Sequence, residues 1–309
     1  MPVAGRPADA GHGGGAARAG VSRVPRRLPR PIRRLLRDRV AVIAGIVMLV
    51  ALAVALLAPV IVPHDPFAPE PMVRLQSPSA THWFGTDELG RDVFSRVLFG
   101  ARISLQIALI TVSLAVVVGS TFGLIAGYFG AWVDQLIMRV TDIFLAFPGL
   151  VLAMALSAAL GPSVQHIAVA LGLVWWPGYA RLMRGQVLSV RSQLYVEASR
   201  AVGGSAARIL VRHVLINAFD PVAVRATMTS GYAILSGAAL SFIGLGAQPP
   251  MPEWGVMVAG ARFYILDAWW YPTLVGAAIF VTILAITVFG DGLQDAVDPR
   301  LVQPGMSGH

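Results

Sequence analysis

Two residue types are missing from this 309-residue chain: it holds no cysteine, and all 24 of its basic residues are arginine. Without cysteine there are no thiolate metal sites, disulfides or cysteine nucleophiles. Without lysine there is no Walker-type phosphate loop, whose lysine reaches the phosphates, and no Schiff-base chemistry. Charge is scarce as well, at 13% of residues against the roughly 25% usual in soluble domains. What fills the space is apolar: 56% of residues are hydrophobic and the mean hydropathy is +0.70. Runs long enough to cross a bilayer recur, which is the pattern of a polytopic membrane protein. The net charge of +8 is therefore read as a topology signal, since arginine gathers in cytoplasmic segments, and not as a nucleic-acid footprint. H-E-x-x-H and G-x-S-x-G patterns are also absent, so neither a zincin nor a serine-hydrolase site is written here.

The chain divides by composition. Residues 1–39 are rich in Gly, Ala, Pro and Arg, with ten arginines against Asp9 and Asp38. Such a segment buries too little apolar surface to fold alone and is expected to be a disordered cytoplasmic tail. Val40 to Val62 is too long for a signal-peptide core, about 7–15 residues, so it reads as an uncleaved first span. Residues 40–100 then comprise this span and a periplasmic loop, His64 to Gly100, in which five acids outnumber three arginines. Within it, Thr86 is placed to cap a short helix with Asp87 and Glu88 in the first turn. Residues 101–296 form the core. Spans are expected over Ile103–Gly127, Gln135–Leu160, Ser163–Tyr179 (ending in the interfacial pair Trp175 and Trp176), Val222–Ile243 and Tyr271–Phe289. The total is six, with both termini inside and residues 297–309 as a cytoplasmic tail. Asp142, Arg139, Gln165 and His166 are polar among apolar neighbours and read as interfacial or structural.

One stretch interrupts the grease. Between Arg181 and Arg212 lie six arginines and Glu197. Inserting them would cost on the order of 15–20 kcal/mol at a few kcal/mol per charge. The segment, about 181–221, must lie in water, and positive-inside places it in the cytoplasm. Its pattern is two helices. Ser192 caps the first, Gly203 and Gly204 end it near Val202, and Ser205 caps the second. There Ala206, Ile209, Leu210, His213 and Val214 repeat as an amphipathic stripe. A helix pair with one apolar face needs a partner, either its own spans or another protein.

The residues Glu197-Ala198-Ser199, Arg200-Ala201-Val202, Gly203 and, later, Leu215-Ile216-Asn217 resemble the cytoplasmic "EAA" motif of permease subunits of ABC importers. "FGTDELGRDVFSRVLFGARISL" (84–105), "WWPGYARLMRGQVLSVRSQLYVEASRAVG" (175–203), "LSFIGLGAQPPMPEWG" (240–255) and "FGDGLQDAVDPRL" (289–301) are similar to the dipeptide, oligopeptide and nickel permease group, in its second, C-type subunit. Three departures stand out. Ser199 replaces an alanine, Ile216 stands where the family has proline, and Gly237 stands where relatives carry glutamate.

The resemblance implies an all-α protein of six transmembrane helices with the type I ABC importer permease fold, in a bacterial inner membrane. It implies a second permease subunit, two cytoplasmic ATPase chains that bind ATP and Mg, an extracytoplasmic substrate-binding protein, and surrounding lipid. The chain itself would hold no cofactor, metal or catalytic residue. Glu197, Ala198, Ser199, Arg200, Gly203, Gly204, Ile209, Leu210, Leu215 and Asn217 would couple to the ATPase. Small residues there permit close approach, and Glu197 offers a carboxylate for a charge-assisted contact. Pro249, Pro250 and Trp254 would sit in a stiff external loop, either a contact for the binding protein or ordinary loop punctuation. A stand-alone channel or secondary transporter is the rival reading. The spans show neither a ring of acids nor a matched pair of broken helices that would support it.

Overall fold

The structure, a computed structural model, describes residues 30–297. The tails expected over 1–39 and 297–309 lie largely outside these residues, but the chain is already helical at α1 (Arg30–Leu35). Asp38 then caps α2 (Arg39–Ile61), accepting from the backbone N–H of Val40 at 2.8 Å and of Ala41 at 3.2 Å. A carboxylate at that end also meets the positive pole of the helix. α2 buries Ala41, Ala44, Gly45, Ala55 and Ala58 and exposes Val40, Ile43, Ile46, Leu49, Val50 and Leu56. This inverted pattern is what a bilayer dictates. Lipid is as apolar as leucine, so large side chains gain nothing by burial, and small ones let helices approach.

Residues 62–92 fold as a cap over one end of the bundle. The acidic stretch expected to start a helix at Thr86 does not. Thr86 pairs with Asp92 in an isolated antiparallel bridge, and Asp92 is the true cap, its carboxylate accepting from Ser95 N–H at 2.7 Å. Asp87 turns inward instead, where it accepts from the backbone N–H of Leu89 and Arg91 at 2.9 Å each and pairs with Arg91 Nε at 2.7 Å and Arg96 Nε at 3.3 Å. Buried charges survive only when paired and hydrogen-bonded in this way.

From Asp92 runs α3 (Val93–Phe129), 37 residues, or about 55 Å at 1.5 Å per residue. That exceeds a hydrocarbon core of about 30 Å, so α3 links the cap to the opposite end of the bundle. The expected span Gln135–Leu160 is broken. α4 (Ala131–Leu145) and α5 (Gly149–Leu160) meet at an 86° bend. Pro148 lacks an N–H and pushes Phe147 out of the α region.

α6 (Val164–Arg191) is 28 residues long and passes through Pro177. The expected span ended at Tyr179; the helix carries on through Arg181 and Arg184 to Arg191. Trp176 is buried between Phe122 and Phe144 and is not a belt residue. α6 lies against α3 along a glycine seam. A Cβ at Gly119 or Gly123 would collide with the carbonyls of Trp176 and Ala180, and one at Gly127 would stand 2.8 Å from Val187 Cβ. Only glycine permits backbones this close.

After the helix pair described below, α10 (Asp220–Phe242) returns along α3 and α12, with Pro221 in its first turn, where a missing N–H costs nothing. A short α11 (Trp254–Ala261) leads to α12 (Trp270–Val297). Among the described residues α2, α3 and α12 are long and apolar enough to cross a membrane, and the bent pair α4–α5 makes a fourth if it is one span. α6 and α10 fall short on composition because they carry arginines and many small polar residues, so the expected count of six is not reached by this measure.

Candidate functional site: the helix pair between Arg191 and Phe219

Arg191 closes α6 and ties it to the end of α3, donating to the carbonyls of Gly127 at 2.7 Å and Tyr128 at 3.2 Å. A guanidinium there satisfies orphan carbonyls at the negative pole of α3. Two further ties hold the same region. Arg184 grips Asp134 at the start of α4 through two bonds of 2.5 and 2.6 Å, and Arg181 meets Asp142 at 2.6 Å. The two α6 arginines read from sequence as part of a wet loop are thus stitched to α4.

Ser192 is the C-cap of α6, and Gln193, not Ser192, precedes α7 (Leu194–Ala201). The end of α7 follows from the glycine pair. Gly203 sits at φ +81°, and its N–H donates to Arg200 O at 2.9 Å. Gly204 N–H donates to Ser199 O at 3.0 Å. These two bonds form a Schellman motif. Its residues divide the work. Gly203 supplies the left-handed backbone with open space around it. Gly204 must lack a side chain, because a Cβ there would lie 2.7 Å from Ser199 O. Arg200 lies over the Tyr128 ring at 5.3 Å.

The second helix begins after Ser205, whose side chain makes no capping bond. It consists of α8 (Ala206–Ile209), a π-helical stretch at Leu210–Leu215 and α9 (Ile216–Ala218). The wider π turn changes the register. The buried positions are Ile209, Val214, Ala218 and then Val222 of α10, spaced five, four and four, so Ala206 is exposed while Leu210 and His213 are half-buried. With isoleucine in place of the family's proline at 216, the helix continues to Ala218. Asn217 donates to His213 O at 2.6 Å.

Together with Val196 of α7, Ile209, Val214 and Ala218 pack on Ala115 of α3 and on Tyr179, Met183 and Val187 of α6. The base of the pair is therefore part of the bundle core. Its outer side is different. Glu197 and Ala198 are exposed, flanked by Leu194 at 81% and Val202 at 86% exposure. Of the residues expected to couple, Glu197, Ala198 and Arg200 lie on this open face with Ser199 partly covered. Gly203 and Gly204 shape it, Leu210 and Leu215 are half-buried on the core, and Ile209 is beneath it as an anchor, not a contact.

At the other end of the bundle Pro249 and Pro250 are exposed, but Trp254 is not a surface residue. It is 2% exposed, packs against Gly100 and donates from Nε1 to Val97 O at 3.0 Å. Beside it Glu253 is buried and caps α11, accepting from Val256 N–H at 3.1 Å and from Ser104 Oγ at 3.3 Å. Burial pushes its carboxyl pKa up from the ordinary range, against the pull of these bonds. Gly237 is buried against Ile107, whose Cγ2 would stand 2.8 Å from a Cβ at 237, so the glutamate of relatives has no room here as the helices stand.

Sequence reasoning did not reach Asp134, Arg184, Val196 or the glycine seam of α3. The spacing of Gly119, Gly123 and Gly127 within an apolar run is a small-x-x-x-small signal. Nothing local marks Asp134 as the partner of Arg184.

Comparison with known proteins agrees with this architecture. Residues 119–303 match the family described as the binding-protein-dependent transport system inner membrane component, and residues 31–78 match the N-terminal TM domain of oligopeptide transport permease C. The chain is 44% identical to the dipeptide transport system permease protein DppC of Alkalihalophilus pseudofirmus, over 87% of this chain and 88% of that one. It is 46% identical to the probable D,D-dipeptide transport system permease protein DdpC of Escherichia coli K12, over 84% and 87%. To the glutathione transport system permease protein GsiD of Pectobacterium atrosepticum it is 43% identical, over 87% and 90%. Among solved structures, an inward-facing MetNI methionine ABC transporter shares the fold, with TM-score 0.53 at 18% identity over 66% of this chain and 97% of that one. The chain belongs to the inner membrane components of binding-protein-dependent transport systems: it is a multi-pass permease subunit of an ABC importer, a machine that works with ABC ATPase and substrate-binding partners.

Proposed function

We propose that the chain is one of two different permease subunits of an importer for dipeptides or other short peptides, and that α7 with the helix after it is the seat of a cytoplasmic ATPase. The observation that carries this reading is the division of the helix pair into a base locked in the bundle and an outer face left open, with Glu197 at its centre. A rigidly rooted element of that kind transmits displacement, because packed cores switch between arrangements and do not deform continuously. A partner that closes on ATP and Mg would move α7, and α7 would move α3 and α6 through Val196, Ile209 and Val214. ATP chemistry then belongs entirely to the partner chains, which supply the lysine this chain lacks.

Six spans follow if α4–α5 is one broken span and if α6 and α10 also cross. Both are long enough, at 28 and 23 residues. Arginine in the N-terminal segment and around the helix pair supports cytoplasmic placement of both termini and of α7. The cap, Pro249 and Pro250 then face outward, toward a binding protein. Peptide cargo is supported by the names of the similar permeases, which belong to dipeptide, D,D-dipeptide and glutathione transport systems.

The test is reconstitution with the second permease, the ATPase chains and the binding protein. Wild type is expected to show ATPase activity that rises with loaded binding protein, and uptake of labelled dipeptide. Glu197→Arg should insert normally, lose ATPase association and lose uptake. Normal uptake at normal expression in that variant would overturn the coupling role. Uptake of labelled dipeptide by the chain alone in liposomes would favour the stand-alone transporter instead.

A further inference from the structure

We propose that His64, His82 and Asp92 form a divalent metal site of the zinc class that staples the cap to the start of α3. The three residues come from separate places: just past the end of α2, from the cap, and from the N-cap of α3. Their ligand atoms all lie within 4.8 Å of one another. His82 Nδ1 is 3.0 Å from Asp92 Oδ1, and His64 Nδ1 is 3.8 Å from Asp92 Oδ2. Zinc–ligand bonds of about 2.0–2.1 Å in a tetrahedron put neighbouring donor atoms about 3.3 Å apart. The two observed separations, each to a different oxygen of the Asp92 carboxylate, bracket that value, and no pair of donors is more than 4.8 Å apart.

The donors are held in place by bonds that do not involve them as ligands. Ser95 Oγ accepts from the backbone N–H of His64 at 3.1 Å, and Ser95 N–H donates to Asp92. The backbone of His82 is fixed in a turn by Ser79, whose Oγ accepts from His82 N–H at 3.1 Å and whose N–H donates to His82 O at 2.8 Å. Supporting bonds of this kind orient metal ligands and set affinity. His82 and Asp92 are buried and His64 is partly open to solvent. Three protein ligands with a fourth, water-accessible position is an open zinc arrangement. A structural hydrogen bond accounts for His82 and Asp92 but leaves His64 unexplained. At 3.8 Å its Nδ1 is too far to bond the carboxylate, yet it lies beside it, with the two imidazole rings 4.8 Å apart. Two imidazole nitrogens and one carboxylate within 4.8 Å of one another suit an ion of the zinc class better than a hard cation, which prefers oxygen.

The experiment uses the assembled transporter, purified without a polyhistidine tag, stripped with chelator, desalted and titrated with zinc sulfate. Metal is counted by mass spectrometry. Partner chains give the same background in every sample, so the difference between wild type and variant counts this site. Wild type is expected to hold one more zinc per permease than His82→Gln or His64→Gln. Asp92→Asn keeps an N-cap for α3 and is expected to bind zinc at least tenfold more weakly. Cobalt in place of zinc should give a tetrahedral visible spectrum in wild type that is missing from the variants. Equal metal content in wild type and His64→Gln overturns the site. If His82→Gln does not assemble, the exposed His64 variant and Asp92→Asn decide it alone.

Discussion

Arg184, in the last two turns of α6, forms a two-pronged bond with Asp134 in the first turn of α4, Nε to Oδ1 at 2.5 Å and NH2 to Oδ2 at 2.6 Å. α4 follows α3 after the single residue Gly130. The pair therefore ties the start of α4 to α6, about two turns before α6 ends at Arg191. Bidentate geometry makes this a stronger tie than the exposed Arg181–Asp142 pair.

Asp134→Asn is expected to lower stability by about 1–3 kcal/mol, the range for a hydrogen bond to a charged group. Asp142→Asn should change it by less than about 1 kcal/mol, as for an exposed pair. Melting of the two variants in detergent checks the contrast. Exchanging the charges, Asp134→Arg with Arg184→Asp, should recover part of the loss.

The Schellman turn predicts different tolerances at adjacent glycines. Gly203→Asn should retain most uptake, because asparagine accepts the left-handed region and the site around 203 is open. Gly203→Val should lose it. Gly204→Ala should also lose it, through the contact with Ser199 O at 2.7 Å. Uptake at matched expression separates these outcomes. Equal activity of Gly203→Asn and Gly203→Val would show that the backbone angle at 203 is not needed.

Gly123→Val should be among the most damaging changes in the chain, about 3 kcal/mol or more, since its branched side chain would meet the Ala180 carbonyl and Met183 Cβ on α6. Gly276→Ala, in α12 where nothing lies within 4 Å of the added carbon, should be nearly neutral. Thermal stability and yield of the two variants give the comparison.

Glu253 gives the chain a pH-dependent term. Its carboxyl pKa is raised by burial. Above the ordinary glutamate value, about 4.3, the unfolded chain releases this proton while the folded chain keeps it. Stability therefore falls as pH rises from that value to the raised one, then levels off. Glu253→Gln should keep an acceptor for Val256 N–H and remove this fall. Denaturation midpoints across the acid-to-neutral range would show a flatter profile for the variant; identical profiles would place the titration elsewhere.

Much of this was legible in the residues themselves. The glycine break at 203–204, α2, α10 and α12 follow from hydropathy and from the backbone freedom of glycine. These are properties of a residue and its near neighbours. The break at Pro148 was legible too, but an unbroken apolar count ran across it. Boundaries failed where helices outlast the membrane: α6 continues through Arg181 and Arg184 because Asp134 and Asp142 receive them.

The sequence by itself determined that the chain lies in a bilayer, that it cannot bind nucleotide through a lysine loop, and that the arginine-rich stretch before α10 breaks at Gly203 and Gly204. Tertiary structure alone decided which face of that stretch is free. The π turn at Leu210–Leu215 shifts the buried positions off the simple helical repeat. Val214, Ala218 and Val222 follow Ile209 into the core, while Val196 anchors α7 and leaves Glu197 and Ala198 outside. Tertiary structure also decided that Trp254 is buried, that Asp87 carries two arginines, and that His64, His82 and Asp92 meet. Each of these depends on atoms distant along the chain being brought together by packing, and local pattern holds no record of that.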